Sequence, residues 1–139
     1  MSDALCSCVF SLSAELERLA EVRDALAALL DESGWPEESR ARMMLAGAEA
    51  LVNAIEHGSR SDGVVDVRIE VTGATARFTV VDGGREGSRV PALNGDAPPP
   101  NAVRGRGLII MRALSDSAQI KPAGDGTEVV LEFLRESAA

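Results

Sequence analysis

The sequence predicts an α+β two-layer sandwich, a mixed and mainly antiparallel sheet covered on one face by three helices. Residues 64–82 alternate apolar and polar side chains on both sides of Gly73-Ala74, the period-two signature of a hairpin with one face buried. Residues 13–32 and 36–58 instead repeat apolar residues at three- and four-residue spacing, as amphipathic helices do. The 139 residues, 45% hydrophobic and 26% charged, are enough for one core, and a single domain over 1–139 is expected.

In chain order, residues 5–12 (LCSCVFSL) read as a first strand with Cys6, Cys8 and Phe10 on one face. Two cysteines cannot complete a zinc cage and read as core thiols. Ser13 is the expected N-cap of a helix running to about residue 32, with Glu15 and Glu17 in its first turn and Leu16, Leu19, Val22, Leu26 and Leu29 on its apolar side. Gly34 breaks it, and Pro36 opens a second helix that closes at His57-Gly58. Strands follow at Val64–Thr72, with Val65, Val67, Ile69 and Val71 inward, and at Ala76–Asp82. The stretch from Gly83 to Gly107 holds six glycines and four prolines, so it is expected to form no regular element, and a loop of that length is usually functional or disordered. A third helix from Leu108 to about Asp116 leads into closing strands at 118–121 and 127–134, joined by a turn at 122–126.

A net charge of -8 and a pI near 4.6 argue against direct nucleic-acid or anionic-membrane binding, because those surfaces are themselves negative. No basic start followed by a long apolar run marks a signal peptide, so a cytoplasmic protein is expected. The glycine-rich stretch reverses the trend: Arg85, Arg89, Arg104 and Arg106 against Glu86 and Asp96 leave it an excess of +2. That favours contact with an anion. Gly105-Arg106-Gly107 sits where the third helix is expected to start, and helix-terminal N–H groups form phosphate sites.

The second helix carries the polar groups that hydrophobic patterning does not require. Met44, Ala48, Leu51, Val52 and Ile55 make its apolar stripe, while Glu49, Asn53 and His57 form a row four residues apart. Magnesium prefers oxygen ligands and binds through one or two protein groups together with substrate phosphates. The Asn53 carbonyl oxygen suits that role, and Glu49 one turn earlier suits proton acceptance from an attacking hydroxyl. Asp82 at a strand end can accept a hydrogen bond from a base amino group, and Gly84 lets a flat ring approach the backbone. Together these residues outline a nucleotide pocket. Singly, each also has an ordinary reading: an exposed helix carboxylate, a core or cap amide, a histidine at a helix end.

Taken jointly, Glu-x-x-x-Asn on an amphipathic helix, Asp-Gly-Gly after a strand, Gly-Arg-Gly before a helix and a closing Gly-Thr strand resemble the Bergerat-fold, histidine-kinase-like ATPases of the GHKL superfamily. EALVNAIEHG and GRGLIIMRALSD are most similar to the anti-sigma factor serine/threonine protein kinases of bacterial partner-switching systems, and the resemblance runs from the first strand to Phe133. It implies ATP and Mg2+ as cofactors, Glu49 as catalytic base and Asn53 as magnesium ligand. It further implies that Asp82 binds the adenine amino group with Gly84 beneath the ring, and that Thr127 adds an adenine-side hydrogen bond. Gly105, Arg106 and Gly107, flanked by Arg104 and Leu108, would form the mobile lid over the phosphates. Family members phosphorylate a serine on an anti-anti-sigma (STAS-type) protein and bind a sigma factor, commonly as a homodimer. The family's first glycine box is D-x-G-x-G, whereas this chain reads Asp82-Gly83-Gly84-Arg85-Glu86, with its next glycine at Gly87. That departure motivates the alternative, a non-catalytic, nucleotide-responsive binding module that sequesters a regulatory partner.

Overall fold

The computed structural model describes residues 5–58, 63–83, 103–124 and 126–135. The chain runs β1 (Cys6–Ser13), a 3-10 turn (Leu16–Arg18), α1 (Leu19–Glu32), α2 (Glu37–Asn53) and a π-helical turn (Ala54–Gly58). It continues through β2 (Val64–Val71), β3 (Thr75–Asp82), α3 (Val103–Leu114), β4 (Ser117–Ala123) and β5 (Gly126–Leu134). The sheet order is β1-β2-β3-β5-β4, antiparallel at every pairing. The expected two-layer α+β sandwich is therefore the observed fold. Its sheet has no parallel pair among the described strands, because α3 carries the chain from β3 to the far edge and β5 returns beside β3.

Register sorts the sheet into rows. On the helix-facing side Cys8, Ile69, Phe78, Leu131 and Ala118 lie side by side, as do Phe10, Val67, Val80, Val129 and Ile120. These β-branched and aromatic pairs are the units that stabilise a half-buried sheet. The helices close over them, with α2 against β3 and β5, α1 against β1 and β2, and α3 against α2 and β4. Cys6 and Cys8 are free and half-buried. Among the described residues, no helix is long and apolar enough to cross a membrane.

Local chemistry sets the joints. Gly34 takes φ +72°, a conformation that favours glycine and ends α1. Pro36, extended at φ -60° and ψ 149°, is the N-cap of α2. Between them Trp35 is buried, and its indole Nε1 donates to the carbonyl of Thr72 at 2.8 Å. The N-terminal joint of α1 differs from expectation. Ser13 closes β1 instead of capping a helix, and its hydroxyl accepts from Arg18 Nε at 3.3 Å. Leu16, counted on the apolar side, is exposed, whereas Leu30 is fully buried.

The phase of α2 also differs from the sequence reading. Its buried face comprises Met43, Ala46, Gly47, Ala50, Leu51 and Asn53, while Met44, Ala48 and Val52 are only half-buried. Small side chains explain the shift, since they let the helix axis lie close to the sheet. A Cβ at Gly47 would stand 3.4 Å from the ring of Phe78. A stripe chosen by hydrophobic bulk points about one residue, or about 100°, away from a face chosen by close approach.

Candidate functional site

Among the described residues, the buried polar or charged ones are Asn53, Asp82 and Thr127, at 9, 5 and 5% exposure. All three are sequence-derived candidates. Burying polar groups costs free energy unless each finds a partner, so their shared position needs a physical account. Asp82 and Thr127 face each other in the β3–β5 register, in the row that also holds Leu12, Val65 and Pro122. The π-helical turn that continues α2 beyond Asn53 packs against β3. The end of α2 thus approaches the strand that carries Asp82.

The β3–β5 pair is held by a side chain as well as by its ladder. The Thr127 N–H donates to Asp82 Oδ1 at 3.2 Å. This bond orients one oxygen of a nearly buried carboxylate. A carboxylate held in this way presents oriented acceptor lone pairs, which suit N–H donors.

Asn53 behaves differently. Its Nδ2 is buried and has no hydrogen-bond partner among the described residues. The same is true of Nε in Arg40 and Arg42, but those atoms lie within half-buried side chains, and Arg40 Nη1 reaches Asp31 Oδ1 at 3.3 Å. Asn53 alone combines residue burial with an orphaned side-chain donor among the described residues. An unsatisfied buried donor costs about 1–3 kcal/mol, and amides of this kind fit a polar ligand. A half-turn about χ2 exchanges Oδ1 and Nδ2, so the position can present either an oxygen to a cation or a donor to a phosphate. Glu49, one turn earlier on α2, is half-buried and makes no hydrogen bond or ion pair among the described residues. No cluster of three or more His, Cys, Asp or Glu forms a cation cage among them. Magnesium is commonly held by one or two protein groups together with ligand phosphates and water, an arrangement into which the Asn53 oxygen fits.

Two expectations change. The helix after the glycine-rich stretch begins at Val103 and not at Leu108, so Arg104, Gly105, Arg106, Gly107 and Leu108 lie within the first turns of α3. Arginine is a good helix former, each glycine costs only about 1 kcal/mol, and the apolar run that follows carries the helix. The row of Glu49, Asn53 and His57 is also not continuous, because α-helical spacing gives way to a π turn at Ala54. Such turns concentrate at functional sites, and no pattern in AIEHG announces one. Gly84, Arg85 and Glu86 lie outside the described residues.

An antiparallel sheet under a helical layer, with a buried polar trio at one end of an otherwise apolar interior, defines an α+β ligand-binding domain. Residues 12–133 match the histidine kinase-like ATPase domain family. The chain belongs to that family and is an ATP-binding domain of the GHKL type. Among solved structures it is similar to the RsbU and RsbW domains of Rv1364c from Mycobacterium tuberculosis, at 25% identity and a TM-score of 0.72, over 96% of this chain and 34% of that one. It also resembles the histidine kinase domain of the blue-light activated histidine kinase EL346 from Erythrobacter litoralis, at 25% identity and a TM-score of 0.56, over 86% of this chain and 60% of that one. A second structure of that Erythrobacter kinase, at 24% identity and a TM-score of 0.56, covers 91% of this chain and 42% of the other. The chain therefore spans only about a third to three fifths of the structures it matches. No curated protein matches it in sequence.

Proposed function

We propose that the chain is an ATP-dependent serine/threonine protein kinase of an anti-sigma, partner-switching system, acting in the cytoplasm as one domain over residues 1–139. In this reading it phosphorylates a serine on a STAS-type anti-anti-sigma protein, binds a sigma factor or similar regulator, and works as a homodimer. The family membership and the likeness to an RsbW-containing structure support it. The observation that carries it furthest is the buried, unpartnered Asn53 amide one turn beyond Glu49.

The chemistry distributes over these residues. Asp82 accepts the N–H of the adenine amino group with the carboxylate that Thr127 N–H holds in place. The Thr127 hydroxyl adds a second adenine-side contact, and Gly84 lies beneath the ring. Asn53 would hold Mg2+ through its carbonyl oxygen, and the ion would offset phosphate charge when bound. Glu49 takes the proton of the substrate hydroxyl as its oxygen bonds to the γ-phosphorus and the bridging P–O bond breaks, releasing ADP. Arg104, Gly105, Arg106, Gly107 and Leu108 cover the phosphates.

Purified protein incubated with labelled ATP, Mg2+ and a STAS-type partner tests this reading. Glu49→Gln is expected to slow phosphotransfer by about 10²–10⁴-fold while ATP affinity holds. Transfer unchanged by that substitution contradicts the role of Glu49. The glutamate at position 86, in place of the second box glycine, favours a second reading, a nucleotide-responsive module that holds its partner without transfer. Stable partner capture with no phosphoprotein formed from wild-type protein would select it.

A further inference from the structure

The helices α1 and α2 do not meet along their whole length over the sheet. Between them lies a cleft of about 80 Å3, walled by Leu19, Val22 and Leu26 on one side and Met44 and Leu51 on the other, with the ring of Phe78 as its floor. Two features separate it from an ordinary packing gap.

The first is Gly47, which lines the cleft in the interior of α2. Glycine is among the poorest helix formers. A Cβ there would stand 3.4 Å from Phe78 Cζ and 3.5 Å from Cε1 and Cε2, an ordinary van der Waals contact. Packing would therefore accept alanine, and the effect of glycine is to leave the aromatic floor reachable. The second is Arg23, the only charged residue among those lining the cleft. It is exposed and makes no hydrogen bond or ion pair with any described residue.

An apolar slot with one uncommitted guanidinium at its rim matches an amphiphilic anion. We propose that the α1–α2 cleft binds a small aryl or branched-alkyl carboxylate, with its apolar end against Phe78 and its carboxylate at Arg23. The volume suits the leading edge of one phenyl or isobutyl group. The arginine, which suits planar carboxylates, keeps the charged end in water. None of the residues lining the cleft is a candidate nucleotide residue.

The test uses the full chain without nucleotide and two probes, benzoate and benzyl alcohol, followed by methyl and aromatic NMR. Saturable shifts are expected at Leu19, Val22, Met44 and Phe78, with a dissociation constant of about a millimolar for a ligand of this size. Arg23→Gln should weaken benzoate by about three- to fivefold, the ordinary worth of an exposed ion pair, and leave benzyl alcohol unchanged. Gly47→Ala raises helix propensity and so folds, and its methyl over the ring should remove saturation by both probes. Absence of saturable shifts up to about 20 mM, a generous ceiling for a ligand of this size, overturns the proposal, as does benzoate binding that survives Gly47→Ala intact. A loss on Arg23→Gln that is equal for the two probes, or absent for both, overturns the carboxylate assignment.

Discussion

The two ends of the helix-facing side of the sheet bury polar groups in different ways. Near the β2–β3 turn the row is Cys6, Val71, Ala76 and Phe133, and the buried Trp35 beside it has its one donor satisfied by Thr72 O at 2.8 Å. At the opposite end the row contains Asp82 and Thr127, and α2 brings Asn53 with Nδ2 unpartnered. A closed hydrogen bond in an apolar setting stabilises the fold and leaves nothing to offer a ligand. An open one costs stability in the free protein and recovers it only when something binds. The contrast separates an end whose buried donor is satisfied from the end proposed to take the nucleotide.

Substitutions at each end can break that contrast. The largest expected effect is Trp35→Ala, which removes a nearly fully buried indole and should cost about 3–5 kcal/mol of stability, read by denaturant unfolding, while the folded fraction keeps its ATP affinity. Next is Asp82→Ala. It strips the Thr127 N–H of its side-chain acceptor, should cost about 1–3 kcal/mol, and should also lower ATP affinity in titration calorimetry. A variant that loses stability but binds ATP at wild-type strength would make Asp82 purely structural. Gly34→Ala sharpens the structural end. At φ +72° with open space around the Cβ position, it should cost about 1–2 kcal/mol from backbone conformation alone, with no change in nucleotide binding. The smallest effect belongs to the exposed Arg77–Glu132 pair at 3.5 Å: Arg77→Ala should shift stability by less than about 1 kcal/mol, measured in the same unfolding assay.

Much of this architecture was legible in the sequence because period-two alternation is hard to imitate. Val65, Val67, Ile69 and Val71 and their partners on β3 and β5 are buried as the alternation requires. Asn53 was legible as a polar group on an amphipathic helix and Asp82 as an acid that ends a strand before glycines, whereas Thr127 came only through the resemblance to a known family. The phase of α2 was not, because Ala46, Gly47 and Ala50 carry little hydrophobic signal and face the sheet through their small size. The start of α3 was hidden by two glycines and two arginines that read as loop. Trp35 drew no attention in the sequence, although the chain's single tryptophan set between Gly34 and Pro36 is a signal that could have marked an anchored helix joint. The π turn after Asn53 left no local pattern to read.

Thermal unfolding of wild-type protein and Asn53→Ala, each with and without ATP and Mg2+, tests the central claim most directly. Removing an unsatisfied buried amide should leave the free protein within about 1 kcal/mol of wild type. Saturating nucleotide at a hundred times the dissociation constant should stabilise wild type by about 2.7 kcal/mol and should barely move the variant. A variant that is strongly destabilised when free, yet gains the full wild-type increment from nucleotide, would make Asn53 part of the scaffold and contradict the account.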